Sequence, residues 1–204
     1  MDYAARPMIG TIGTAPAGEA ASSLIYATGH GGNLDCPAIR PGSTVILPGN
    51  VPGALISLGD VHALMGDGEI TGTALETSAD VTIRIGLRKS CEHPLPMPRL
   101  TDTDSLGSIG CVSRTSIQDN IRAAVLDVAA TLQQDHAIPP PDALQLINLF
   151  GKVVVNQAAN AGNDGWATVL VRLMRGRLRL RLGRVVIWRR PKDQCFSRQY
   201  TIRF

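Results

Sequence analysis

The chain has 204 residues, of which 44% are hydrophobic and only 4% aromatic, with 21 glycines and 13 prolines. This length suits one sizeable domain or two small ones, and the glycine and proline content favours a β-rich chain with many turns. No apolar run approaches the ~18 residues of a membrane span, and the first residues lack the pattern of a secretory signal. We therefore expect a cytoplasmic protein without membrane contact, whose four scattered cysteines are reduced.

The net charge of +3 hides two different compositions. Residues 1–171 carry 9 Lys and Arg against 16 Asp and Glu, a balance of −7, whereas residues 172–204 carry 11 against 1, a balance of +10. The basic part could bind nucleic acid, or it could be a non-native tail from a shifted reading frame or a read-through. The abrupt change and the near absence of interleaved aromatics favour the non-native tail, so nucleic-acid binding is not expected.

Short strands separated by turn signals are predicted through the first ninety residues. The clearest is the segment 79–89, where apolar residues alternate with Thr, Arg and Gly as in a half-buried strand. The other predicted strands cover residues 7–15, 43–47, the end of 51–62, and 69–75.

The Pro-rich segment 94–98 is a linker, after which the apolar period changes from 2 to 3.6. A helix is predicted at 116–135, where Ser116 and Asp119 resemble a capping box, and a second one at 139–151, which starts after proline and ends at Gly151. Strands follow at 152–158 and 166–174. The apolar face of the first helix comprises Ile117, Ile121, Ala124, Val125, Val128 and Leu132.

Together these elements predict an α+β fold, dominated by β structure in sandwich or barrel-like sheets, with two packed helices in the C-terminal half. Residues 1–93 form a β-rich segment, and residues 99–174 complete the same domain. Residues 175–204 are the basic tail.

Acidic residues and one histidine stand among glycines and apolar residues in the first segment. Asp60 and His62 are two residues apart, so on a strand both side chains leave the same face, and Asp67 and Glu69 repeat this spacing after a turn. If the two strands form a hairpin, these groups could share a Zn²⁺ ion and activate a water molecule. The alternative is a hydrogen-bonded turn with a semi-buried histidine.

The amino-acid sequence of this region resembles that of the acetamidase/formamidase family. The resemblance rests on "PMIGTIGTAP", on "HGGNLD", and on "GSTVILPGNVPGALISLGDVHALMGDGEITGTALE". It extends more loosely to about residue 173. It implies hydrolysis of a small amide such as formamide or acetamide to a carboxylate and ammonia, together with a bound divalent metal ion, expected to be zinc, and homo-oligomeric assembly.

The resemblance also suggests roles for the matching residues. Asp60 and His62 are read as metal ligands, and Glu69, with Asp67, as the catalytic carboxylates that move protons. The substrate pocket is assigned to the residues that match the first histidine motif: His30, Gly31, Asn33 and Asp35.

The chain departs from the family in length as well as in its tail. Family members have a further β-rich N-terminal portion, which could supply more metal ligands and one wall of the pocket. A second hypothesis is therefore a catalytically incomplete fragment that acts only in assembly with a separate N-terminal half. Cys36 could act as a thiol nucleophile, but no base-orienting pattern surrounds it, and a small core cysteine is the better interpretation.

Overall fold

A computed structural model describes residues 2–18, 21–22, 27–88, 95–112, 115–160, 166–174 and 199–203. Within these ranges the chain forms strands and two helices. The helices are α1 (Ile117–His136) and α2 (Pro140–Phe150). The strands are β1 (Met8–Gly13), β2 (Ala27–Thr28), β3 (Gly31–Asn33), β4 (Thr44–Pro48), β5 (Ser57–Leu64), β6 (Leu75–Glu76), β7 (Arg84–Arg88), β8 (Arg99–Thr101), β9 (Ser105–Gly110), β10 (Gly151–Asn160), β11 (Trp166–Met174) and β12 (Gln199–Arg203).

The strands are arranged in two antiparallel sheets. One has the order β2-β3-β1-β5-β6, and the other has the order β10-β11-β9-β8-β4-β12-β7. Strands β4 and β7, from the first ninety residues, share the larger sheet with β8 to β11 from the second half. The two segments distinguished by sequence therefore build one sheet together.

The side chains of β11 alternate between two apolar cores, so the seven-stranded sheet lies between two other layers of structure. Val169 and Val171 belong to the apolar core beneath α1 and α2, whereas Leu170 belongs to a second core that it shares with Ile9 and Ile12 of β1. Because successive side chains of a strand point to opposite faces, the helices cover one face of this sheet and the five-stranded sheet covers the other. The expected β-rich α+β fold with two helices in the C-terminal half is confirmed.

Helix α1 begins where the sequence predicts. Ser116 is its N-cap: its Oγ accepts a hydrogen bond from the backbone N–H of Asp119 at 3.1 Å and donates one to the Asp119 carboxylate at 2.8 Å. The cap satisfies one of the N–H groups that the first turn leaves without an intrahelical partner. Neither described helix combines the length and the apolar content needed to cross a membrane.

The apolar face of α1 is confirmed in its position, though not in its full extent. Ala124, Val128 and Leu132 are buried, while Ile117, Ile121 and Val125 are partly buried against the same core. Gln118, Arg122 and Gln133 are exposed, as the helical period requires.

The same helix also buries a charged residue that the sequence did not single out. Asp127 accepts two hydrogen bonds from the guanidinium of Arg99 on β8, at 2.9 and 2.8 Å. This bidentate ion pair fixes the helix against the sheet, because both partners would be left unpaired in the interior if the helix moved.

Two predicted strands are wrong in extent or burial. Residues 69–74 form turns and irregular structure, and only Leu75–Glu76 pair with β5. In the described part of the predicted strand 79–89, which ends at residue 88, only Arg84–Arg88 form a strand, and Ile85 and Leu87 are 54% and 50% exposed. Strand β7 is the last strand of its sheet, and alternation along a chain does not tell whether another layer covers its apolar face.

The basic tail is described only at its end. Residues 199–203 form β12, which pairs with β4 and β7. The alternating residues 177–182 lie outside the described ranges. The non-native origin of residues 175–204 stays a prediction.

Candidate functional site

The candidate site lies between the two sheets. Asp35 follows β3, Asp60 and His62 lie on β5, and Glu69 lies in the loop that follows β5. Gln157 reaches the same place from β10 of the other sheet. Pairing of β1 with both β3 and β5 brings these separate parts of the chain together.

The histidine is the shared member of the site. His62 is 1% exposed, and its Nε2 lies 3.1 Å from Asp60 Oδ1 and 3.9 Å from Asp35 Oδ1. One donor atom each from Asp35, His62 and Glu69 lie within 4.8 Å of one another, and a second such group joins Asp60, His62 and Glu76. His62 is thus close to Asp60 in one group and to Glu69 in the other, and the group with Glu69 also contains Asp35.

Three of the four acidic residues in these groups have an unusual backbone conformation. Asp35, Asp60 and Glu69 have φ angles of 42°, 58° and 39°, in the left-handed region that residues with a Cβ seldom adopt. Among the described residues, only six other than glycine do so. Such conformations persist where the surroundings enforce them and cluster at functional sites, which marks this as the strained part of the fold.

A glycine makes room for the carboxylates. A Cβ on Gly10 of β1 would stand 2.7 Å from Asp35 Oδ1 and still closer to Asp60 Oδ2. Side-chain atoms do not approach this closely, so the two carboxylates occupy the space that a larger residue on β1 would fill. This explains one glycine of the "PMIGTIG" segment.

Gln157 links two of the acidic groups. Its Nε2 donates to Asp35 Oδ2 at 2.5 Å and to Glu69 Oε2 at 3.1 Å. A register irregularity of β10 falls between Val155 and Gln157, and Asn156 and Gln157 are both buried although they are consecutive. A β-bulge of this kind redirects a side chain, here towards the smaller sheet.

Burial and mutual repulsion shape the electrostatics of the cluster. Burial, followed by the negative charges of Glu69 and Asp60, raises the pKa of Asp35 to about 7. The hydrogen bond from His62 holds the pKa of Asp60 below its usual range. Burial alone would lower the pKa of His62, but the hydrogen bond and charge of Asp60, followed by the charges of Asp35 and Glu69, raise it overall.

The cluster has the character of a cation site. Asp35 Oδ1 and His62 Nδ1 are buried without a hydrogen-bond partner. Within the described ranges, no Lys or Arg pairs with Asp35, Asp60 or Glu69. Several buried carboxylates without a compensating cation are unfavourable, and an imidazole with carboxylate oxygens is a donor set that suits Zn²⁺ and related divalent ions. The residues present therefore fit a divalent metal ion.

Of the four residues assigned to the substrate pocket, Asp35 belongs to the donor group of His62 and Glu69, whereas His30, Gly31 and Asn33 lie outside both donor groups. His30 is buried, accepts or donates a hydrogen bond at 2.5 Å between Nδ1 and Thr28 Oγ1, and borders an open cavity of about 260 Å³ that Asn50 also lines. Asn33 accepts a hydrogen bond from Thr11 Oγ1 at 2.8 Å. Gly31 has φ 93°, and its position has no room for a Cβ against the backbone of Ile12.

The two remaining candidates lie apart from the donor groups. Asp67 is exposed in the turn after β5, and no hydrogen bond or ion pair joins it to the described part of the cluster. Cys36 is fully buried, and burial raises the pKa of its thiol to about 12. A thiol that stays protonated is a poor nucleophile, which supports its interpretation as a core residue.

Sequence reasoning missed Gln157, Glu76 and the role of Gly10. The signal for Gln157 was present as two adjacent polar residues, Asn156 and Gln157, in an otherwise Val-rich strand. Since strand residues alternate between faces, one of the two had to point into the interior or the strand had to bulge.

A three-layer α+β domain with a buried cluster of carboxylates and one histidine between its sheets defines the class of this protein. A match to the Acetamidase/Formamidase family spans residues 2–103, half of the chain. The chain belongs to this family.

Individual relatives agree with the family match. A formamidase of Methylophilus methylotrophus is 43% identical over 61 residues, which are 29% of this chain and 15% of that protein. The crystal structure of an acetamidase from Yersinia enterocolitica matches 85% of this chain and 50% of its own with a TM-score of 0.72 and 31% identity. An acetamidase structure from Bacillus halodurans matches 83% of this chain and 55% of its own, with a TM-score of 0.65 and 31% identity. The chain thus spans about half the length of these solved relatives.

Proposed function

We propose that Asp35, His62 and Glu69 hold a divalent cation, with Zn²⁺ as the first candidate, in a site that hydrolyses small aliphatic amides. The reaction adds one water to an amide such as formamide or acetamide and yields a carboxylate and ammonia. The observation that carries the proposal is the buried group formed by these three residues, whose donor atoms lie within 4.8 Å of one another. Family membership supplies the reaction class.

The side chains of the site would have different roles in the reaction. When bound, a divalent cation supplies positive charge that polarises an amide carbonyl and lowers the pKa of water. Asp60 would orient His62 through the 3.1 Å contact to Nε2. Its side chain is 25% exposed, far more than that of His62 or Asp35, and its lowered pKa keeps it ionised, so it can accept a proton from the attacking water and pass that proton to the departing nitrogen.

This division differs from the one that the sequence suggested. In the assignment made from the sequence, Asp60 is a metal ligand, Glu69 is the proton carrier, and Asp35 belongs to the substrate pocket. Glu69 is buried and accepts a hydrogen bond from Gln157, which favours it as a cation ligand. Asp60 is partly exposed, which favours it as the residue that transfers the proton. The assignment of His30 and Asn33 to the amide substrate stays a prediction, and the cavity beside His30 does not decide it, because neither Asn33 nor any residue of the donor groups lines that cavity.

A second candidate function follows from the length of the relatives. Because the chain spans about half of the solved acetamidases, it could be an incomplete unit that is active only in assembly with the other half of the family fold. The two candidates differ in what the purified chain does alone.

The test is ammonia release from formamide and acetamide by the purified chain, with added Zn²⁺ and after chelation. We expect chelation to abolish release and His62→Ala to reduce it by at least ~100-fold, while Asp142→Asn on the exposed surface of α2 leaves it unchanged. Activity only on co-expression with the N-terminal half of a family member would establish the incomplete unit. Release that survives both chelation and His62→Ala would overturn the proposed metal site.

A further inference from the structure

We infer that the bulge of β10, residues 156–158, is the device that fixes the distance between Asp35 and Glu69, with Gln157 as the positioning residue. The inference rests on the proposed function, because it concerns two members of the same donor group. It assigns a role to a strand from the C-terminal half, outside residues 2–103 that match the family.

The first argument is the hydrogen bonding of Gln157. The primary amide has two N–H groups, and here each has a carboxylate oxygen as its acceptor, at 2.5 Å on Asp35 and 3.1 Å on Glu69. Gln157 is only 6% exposed, so water does not compete for these bonds. One rigid group therefore holds the two carboxyl groups at a set separation.

The second argument is which oxygens the amide occupies. Gln157 takes Oδ2 of Asp35, and Oδ1 of the same carboxylate remains buried with no partner, on the side of His62. The amide thus engages one oxygen and turns the other towards the histidine. Residues that hydrogen-bond a metal ligand without touching the metal commonly orient that ligand in this way.

The third argument is an independent attachment of the same strand to the loop that carries Glu69. The backbone N–H of Ala158 donates to the carbonyl of Gly68 at 2.8 Å. The bulge therefore holds Glu69 twice, once through the Gln157 side chain and once through the backbone of the preceding residue. The two contacts come from consecutive residues, Gln157 and Ala158, at the place where the register of β10 against β11 shifts.

The experiment compares Gln157→Met, which keeps the length of the side chain and removes both N–H donors, with Gln134→Met, an exposed glutamine on α1. Zn²⁺ binding to the purified proteins is measured by calorimetric titration. Hydrogen exchange of residues 66–72 is measured without metal. We expect Gln157→Met to weaken Zn²⁺ binding by roughly 10- to 100-fold and to speed exchange in the loop, and Gln134→Met to do neither.

The outcomes separate this inference from the proposed function. Wild-type affinity in Gln157→Met overturns the positioning role while leaving the metal site intact. Absence of Zn²⁺ binding by the wild-type chain overturns the proposed metal site, and the loop exchange then decides alone: faster exchange in Gln157→Met supports positioning, and unchanged exchange overturns it. If Gln157→Met does not fold, Gln157→Asn, which keeps the amide and shortens it by one methylene, takes its place with the same expectations.

Discussion

Gly10 shows how a single missing side chain can create a site. Replacing it by alanine would force the Asp35 and Asp60 carboxylates away from the new Cβ, since Asp35 Oδ1 would stand only 2.7 Å from it. Carboxylate ends can move more easily than backbone, so we expect the unfolding free energy to fall by only about 1–3 kcal/mol, while Zn²⁺ binding and ammonia release are lost.

The matched control for this variant is Gly59→Ala on the neighbouring strand β5, where no atom beyond the two adjacent residues lies within 4 Å of the added Cβ. Thermal unfolding and metal titration of both variants check the prediction. Equal metal affinity in Gly10→Ala and Gly59→Ala would show that the space at Gly10 has no part in the site.

At this scale the sequence predicted some neighbours and missed others for a definite reason. Asp60 and His62 could be placed together because a two-residue spacing on a strand fixes their common side. Asp35 and Gln157 are 122 residues apart, and their contact depends on how two sheets stack and on a bulge in β10. Neither of these can be read from local spacing.

Helix α1 offers a test of burial at the level of an element. Leu132 is fully buried in the core beneath the two helices, and Leu126 on the same helix is 57% exposed. Truncating Leu132 to alanine should lower the unfolding free energy by about 2–5 kcal/mol, because a cavity is left in a packed core. Leu126→Ala should change it by no more than ~0.5 kcal/mol.

Chemical denaturation of the two variants makes the comparison, and the slope with denaturant should stay the same in both. Similar losses in the two variants would mean that α1 does not pack on the sheet as described.

The helices were predictable as elements, whereas the segment 69–89 was not. The Ser116 cap and the period of 3.6 are local signals that define α1 within a residue or two. The alternation at 79–89 is equally local, but β7 occurs only where β12 pairs with it, and β12 comes from the far end of the chain. Pairing partners distant in sequence decide which alternating segments become strands.

The whole molecule exposes an apolar surface along residues 70–88, next to the candidate site. Five large apolar side chains there are 36–82% exposed, and β6 and β7 are the last strands of their respective sheets. These side chains are Ile70, Leu75, Val81, Ile85 and Leu87. Exposed apolar edge strands favour pairing with another chain, and relatives with about twice the length have additional chain that could cover them.

We therefore predict that the purified chain self-associates through residues 70–88. Replacing Leu75, Ile85 and Leu87 by lysine should weaken association at least ~10-fold without changing the melting temperature, because charge at a sheet edge opposes pairing and these residues lie outside both cores. A matched triple variant on the helices, with lysine at Leu126, Leu144 and Leu149, should associate like the wild type, although those leucines are 43–57% exposed. Sedimentation equilibrium over a range of concentrations measures all three proteins. A wild-type chain that stays monomeric at high concentration, or a helix variant that dissociates as readily as the edge variant, would show that the edges are not the contact surface.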